Sequence, residues 1–381
     1  MKSIQKGKKI SADHGIIASF PTEFFGYFGW PTICKQDNNT LLVASSGLRN
    51  NHVCPFGRTI LCEGSSDGKE WNTPRVINDS PFDDRDAGII NLGKNQLLLS
   101  WFTSNISIKI GNKVNTMQDQ ESAIRWKAGL RAMKSENESL FCGSWVRISG
   151  NNGKTWGPPI QVPVSAPHGP ILLKNGTILY LGKEFSGNTK EFYSHTGKIN
   201  AVISKDTGSS WHTLGEIPLF SGTHVTQYHE PHAIELPSGK LLGLIRLQNS
   251  ASTPTQKLEE LGIVPFSLMQ TESLDGGKTW SPTEPLGFHG SPPHLLLHSS
   301  GTIICVYGYR LSPFGERVML SHDEGRTWEY DYILRDDGPD TDLGYPSSVE
   351  LEDGTILTVY YQKEKKSEDK CSLLWTRWHL P

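Results

Sequence analysis

Apolar residues in this chain fall in short runs separated by Gly, Asn, Asp and Ser, the pattern of brief strands joined by turns. The runs repeat. A short strand opens near Trp30, turns at Asn, and returns as the apolar stretch 41–44. The same unit runs from Asp86 to 97–101, from Pro167 to 177–180 and from Glu230 to 241–245. It recurs from Pro293 to 302–306 and from Tyr345 to 355–359. A second motif interleaves with it, with Ser, Asp or Asn, Gly and Trp in fixed order: Ser149, Asn151, Gly153 and Trp156; Ser204, Asp206, Gly208 and Trp211. Two further copies are Ser273, Asp275, Gly277 and Trp280, then Ser321, Asp323, Gly325 and Trp328. A shortened copy holds Ser65, Asp67, Gly68 and Trp71. Asp accepts backbone N–H groups, Gly supplies positive φ and Trp packs on its neighbour, so each copy predicts a hairpin turn.

Every unit but the last is followed by such a turn. Six units about 50–80 residues apart predict an all-β fold, a six-bladed β-propeller with four antiparallel strands per blade. The last blade is expected to close by pairing 372–377 with an N-terminal strand, so that 1–381 form one domain. Residues 104–137, with little β alternation, read as a long insertion in the second blade, and 250–260 as a smaller one. The mixed-charge stretch 363–370 reads as a solvated hairpin tip.

Composition narrows the function. Lys and Arg number 37 against 40 Asp and Glu, a balance that argues against a nucleic-acid binder. No apolar run approaches the roughly 18 residues of a membrane span. The basic start lacks an apolar core behind it, so no export signal is read: the chain is cytoplasmic or has lost a leader. Six scattered cysteines show no zinc-type spacing, and Cys34, Cys62 and Cys305 read as small buried hydrophobes. The dense charges at 83–86 read as an ion-paired loop. No metal or other cofactor is expected.

Residues opening each inner strand of a propeller converge on its axis. That ring would hold Trp30, Arg85, Asp86, His168, Glu230, His232, His294 and Tyr345, and nearby loops would add Arg49, His52, Arg246 and Arg310. A structural hub would favour small apolar residues there, so this collection points to a binding or catalytic site.

The Ser-Asp-Gly-Trp turns resemble the Asp-box of the sialidase (neuraminidase) superfamily, and the resemblance extends to the ring. That family carries a glutamate opening an inner strand and an arginine ending the next, the layout of Glu230 and Arg246. Arg310 is similar to its arginine one blade further on, and Gly344–Ser348 resembles the stretch holding its nucleophilic tyrosine. The resemblance implies Tyr345 as nucleophile with Glu230 as base, and arginines that fork onto a sugar carboxylate. The first blade departs from the family. Gly29, Trp30 and Pro31 stand where its Arg-Ile-Pro lies, and 46–57 contain no acid in the neighbourhood of its acid/base aspartate. Arg49 would then supply the missing positive charge, and His52 or Asp86 the acid, with Arg85 among the substrate-binding residues. His168, His232, His294 and Trp30 would complete the substrate surface.

The implied activity is an exo-glycoside hydrolase acting on a terminal acidic sugar of a glycan or oligosaccharide. Two other readings stay open on the same propeller. One is a polysaccharide lyase or histidine-dependent glycosidase using His52 or His168 with Tyr345. The other is a glycan-binding propeller without catalysis.

Overall fold

In the computed structural model, which describes residues 7–185, 187, 195–250 and 255–381, six antiparallel sheets form a six-bladed propeller. Blade 1 runs outward from the axis through Tyr27–Lys35, Leu41–Arg49, Arg58–Gly64 and Arg75–Asn78. Blade 2 starts at Asp83–Gly93, blade 4 at Tyr228–Glu235, blade 5 at Pro293–Leu297 and blade 6 at Gly344–Glu350. The inner edge of blade 3 is broken into Val164–Ser165 and Ile171–Leu172, both pairing with Ile178–Glu184. Ring closure follows the sequence expectation: Ser372–Trp378 pairs with Ala12–Ala18, which becomes the outer strand of blade 6.

Apolar faces meet between blades. Leu42, Leu61, Ile89 and Leu99 pack blade 1 on blade 2, and Leu181, Ile199, Leu241 and Met269 pack blade 3 on blade 4. The Ser-Asp-Gly-Trp turns join the third strand of a blade to its fourth. In one, Gly277 N–H donates to Ser273 Oγ at 2.9 Å, Thr279 N–H to Asp275 at 2.9 Å, and Trp280 Nε1 to the Gly277 carbonyl at 3.0 Å. The Thr279 N–H and hydroxyl, with the Ser273 hydroxyl and Lys278 N–H, hold the Asp275 carboxyl down to about 2. The six cysteines are free and buried.

The blade 2 insertion is helical rather than irregular: α1 (Ser107–Val114), α2 (Gln120–Ala132) and the short α3 (Glu138–Phe141). Asp119 caps α2 by accepting from Glu121 and Ser122 N–H. Ile110, Val114 and Trp126 pack on Cys54 and Phe82, and Trp126 Nε1 donates to Asn50 Oδ1 at 2.8 Å. The insertion therefore clamps the loop that follows the second strand of blade 1. No helix among the described residues is long and apolar enough to cross a membrane.

Candidate active site

Four inner strands carry the same distortion. Trp30, Asp86, Glu230 and Tyr345 have φ of 55°, 52°, 51° and 51°, a left-handed backbone that costs a non-glycine residue about 1–3 kcal/mol. At each, the pairing with the next strand slips. Pro31, Pro231 and Pro346 follow three of the four and lack the N–H that a regular ladder would use. The bulge rotates the residue out of the sheet, and the repetition puts four side chains at one level of the axis.

Two of them meet. The Tyr345 hydroxyl donates to Glu230 Oε1, Arg246 Nη1 donates to Glu230 Oε2 at 2.5 Å, and the same Nη1 donates to the Tyr345 oxygen at 2.9 Å. Arg246 ends the strand next to that of Glu230, which brings the three together across blades 4 and 6. Burial and the Glu230 carboxylate hold the Tyr345 hydroxyl well above its ordinary pKa, so it stays protonated at neutral pH. Arg246 also donates to Gln248 at 2.6 Å and lies 4.7 Å from the Phe266 ring centre.

The other cations converge around this group. Arg310 donates to the Ser291 and Leu343 carbonyls, both at 2.6 Å, and has no ion pair among the described residues. Arg85 spreads over Trp30 with its guanidinium carbon 4.0 Å from the ring centre, and its Nη2 is 3.5 Å from His52 Nε2. A pocket of about 140 Å³ lies between Asp86 and Glu230, walled by Phe102, Lys183, His195 and His229. Burial, reinforced by Glu230 against the opposing Arg85, pushes the Asp86 carboxyl up to about 7. Its Oδ1 is buried without a hydrogen-bond partner among the described residues. Burial also brings Lys183 down to about 7, where its ammonium donates to the Val225 and Tyr228 carbonyls at 2.9 and 2.6 Å.

His52 is more open to solvent. Its loop is anchored from below by the helical insertion, yet its side chain is 41% exposed. Nδ1 lies 2.9 Å from Asp342 Oδ1 and 3.0 Å from the Tyr27 hydroxyl. Burial of the surrounding loop, together with Arg85 and Arg49, outweighs Asp342 and leaves the imidazole pKa below its ordinary value.

Five residues expected at the substrate surface are enclosed instead. The Arg49 side chain is 0% exposed and ion-paired to Asp83 at 2.7 Å, which explains the charge cluster at 83–86 as a buried anchor. Trp30 is 1% exposed beneath Arg85. His168, His232 and His294 meet on the axis with ring centres 4.5–5.8 Å apart. Their Nδ1 atoms are committed: Leu295 N–H donates to His232 at 3.0 Å, Ser348 N–H donates to His294 at 3.3 Å, and Thr32 Oγ1 lies 3.1 Å from His168 Nδ1. Burial lowers all three pKa values, that of His232 to about 3, so the rings are neutral latches between blades. No group of three His, Cys, Asp or Glu among the described residues is placed to hold a metal ion.

Residues 60–358 match the model of the BNR repeat-like domain. The chain belongs to this family. No curated protein matches it. In shape it is similar to a protein of unknown function from Dyadobacter fermentans, at 20% identity over 97% of this chain and 98% of that one, TM-score 0.74. It is also similar to the intramolecular trans-sialidase of Ruminococcus gnavus, at 14% identity over 96% and 97%, TM-score 0.62. Trypanosoma rangeli sialidase, solved with sialic acid, matches at 15% identity over 97% of this chain and 59% of its own, TM-score 0.59. These likenesses establish a shared sialidase-type propeller.

Within this BNR repeat-like propeller, four site residues escaped sequence reasoning. Asp342 and Tyr27 flank strands whose neighbours drew attention, Lys183 follows the apolar run that opens its strand, and His229 stands beside Glu230 in a strand of mixed character. Only the adjacency of His229 to Glu230 offered a signal.

Proposed function

We propose that this protein is an exo-acting glycoside hydrolase for a terminal acidic sugar. The observation that supports it most is the hydrogen-bonded group of Tyr345, Glu230 and Arg246 on the cleft floor. In this reading the Tyr345 oxygen attacks the anomeric carbon while its proton passes to Glu230 Oε1. A neutral nucleophile suits an anomeric centre that bears a carboxylate, which would repel an anion. The glycosidic C–O bond breaks, and the leaving oxygen takes the Nε2 proton of His52 in its imidazolium form, so this step draws on the protonated fraction of the ring and is favoured below neutral pH. Water then attacks the tyrosyl–sugar bond, giving one proton to His52 as Glu230 returns its own to Tyr345. Arg246, already 2.9 Å from that oxygen, stabilises the departing phenolate.

Exposure supports His52 over Asp86 as the acid in this reading. The leaving group must depart toward solvent, and the His52 side chain is 41% exposed, whereas Asp86 is buried at a bulge like those of Tyr345 and Glu230. Asp86, protonated near neutrality, serves as a hydrogen-bond donor to a ring substituent in the adjoining pocket. Arg310 and Arg85 supply the charge for the sugar carboxylate, with Arg85 in place of the arginine absent from the first blade.

One observation favours a second reading, elimination at a uronate. His52 is neutral at pH 7, the state a base needs to take a C5 proton. Product mass separates the two, because hydrolysis adds water and elimination does not. Glycosides of acidic sugars and acidic polysaccharides, with products read by mass, are expected to yield hydrated products. Unsaturated products overturn the hydrolase in favour of the lyase.

A further inference from the structure

We propose that Asp342 and Tyr27 are positioning residues that fix the His52 imidazole with Nδ1 protonated and Nε2 turned to the leaving-group oxygen; the role of Nε2 rests on the glycosidase reading above.

The proton inventory leaves one arrangement. Burial works against the Asp342 carboxylate, but hydrogen bonds from His52 and Tyr27 outweigh it and hold its pKa below the ordinary value, so it only accepts. Burial and Asp342 hold the Tyr27 hydroxyl well above its ordinary pKa, so it donates, and its oxygen is 3.0 Å from Asp342 Oδ1. With its proton on Asp342, Tyr27 has none for His52. An unprotonated Nδ1 would face the Asp342 oxygen lone pair to lone pair at 2.9 Å. In the neutral ring the proton therefore sits on Nδ1, and Nε2 is the nitrogen that takes up and hands over the exchanging proton. His232 and His294 on the axis carry the opposite tautomer, because their Nδ1 atoms accept from backbone N–H groups.

The three residues come from separate places: Tyr27 opens blade 1, His52 lies in the loop after its second strand, and Asp342 precedes the inner strand of blade 6. They meet at the seam where the ring closes. The Trp30 ring, its centre 5.0 Å from the imidazole centre and nearly perpendicular to it, and the Asn50–Trp126 hydrogen bond fix the loop around them. Such fixation around a side chain left 41% exposed is unlike the enclosed axial latches and serves a group that works in solvent.

The test uses the full chain. The ring-nitrogen NMR signals of His52, assigned by loss in His52→Gln, are expected to show the Nδ1–H tautomer. Asp342→Asn should mix the tautomers and lower the His52 titration midpoint by about one pH unit. Arg85 on the Nε2 side and Arg49 beneath the loop would then act unopposed. Turnover of a glycoside with an ordinary alcohol leaving group should fall about 10–100-fold, while a nitrophenyl glycoside, which needs little protonation, should change less than about threefold. Asp342→Glu should restore part of the loss. An unchanged tautomer in Asp342→Asn, or equal losses on both leaving groups, overturns the proposal. If that variant does not fold, Tyr27→Phe decides by the same signals, since a hydroxyl that sets the tautomer should shift them and a packing residue should not. Wild-type turnover in Tyr345→Phe overturns the glycosidase reading, and the tautomer then still decides whether Asp342 orders the imidazole.

Discussion

Glu230 and His232 stand two residues apart on one inner strand and belong to different regions of the molecule. Glu230 sits at a bulge with φ of 51°, faces the cleft, and is bonded to Tyr345 and Arg246 from other strands. His232 has returned to the regular ladder, is 5% exposed, and binds the backbone of the next blade. The same contrast recurs in blade 6, where Tyr345 is bonded to Glu230 and Arg246 and Ser347 Oγ accepts from Ile33 N–H at 3.2 Å. A polar residue near a propeller axis is thus not evidence of chemistry by itself. In this strand the imidazole tied to a neighbouring backbone holds blades together, whereas the carboxylate is tied to side chains brought from other strands.

The sharpest way to break this distinction is to remove one member of each class. Tyr345→Phe or Glu230→Gln is expected to lower turnover at least about 10³-fold with little change in Tm. His232→Ala should do the reverse, costing about 2–4 kcal/mol of stability by leaving a cavity and an unpaired Leu295 N–H. Turnover per folded molecule should stay near wild type. Equal turnover losses in folded His232→Ala and Tyr345→Phe would dissolve the two classes into one.

A smaller effect probes the cations. Arg310→Lys keeps the charge and loses the fork, so KM for an acidic sugar should rise about tenfold with kcat nearly unchanged. An equal rise for a neutral sugar would deny Arg310 a role in carboxylate binding.

Acid and base separate the regions further. The axial histidines have lowered pKa values in the fold, so the unfolded chain binds more protons below pH 6.5. Their contribution is present above that pH and is lost as the pH falls toward 3. Asp86 has the opposite sign. Its carboxyl is raised to about 7, so its share of stability is full below about pH 4 and disappears as the pH rises through 7. Urea unfolding at pH 4, 5.5 and 7 should show a shallower acid limb in His232→Asn. Asp86→Asn should gain about 2 kcal/mol at pH 7 relative to pH 4. The smallest change concerns the turns: Ser273→Ala, which leaves Gly277 N–H without its acceptor, should cost about 1 kcal/mol and leave turnover untouched.

Much of the fold was legible because most pairing in a propeller is local. Strands of one blade follow one another in sequence, so the spacing of repeats and of the Ser-Asp-Gly-Trp turns discloses the blade count, and the missing sixth turn discloses where the ring closes. The helices of the insertion were not legible, because their apolar faces rest on few residues, chiefly Ile110, Val114 and Trp126. The site was legible in part. Tyr345, Glu230 and Arg246 stand out by residue type and by opening or ending inner strands. Asp342 does not, since its meaning lies in His52, 290 residues away.

The sequence by itself determined the six repeats, the turn chemistry, and which residue types reach the neighbourhood of the axis. Only the tertiary structure decided their duties. It made His52 accessible and buried Arg49 three residues earlier, set His168, His232 and His294 into the ring as latches, and gave Arg85 rather than Arg49 to the cleft. The physical reason is that exposure, protonation and tautomer are set by what other blades bring against a side chain. A single bulge in the ladder decides which way that side chain turns.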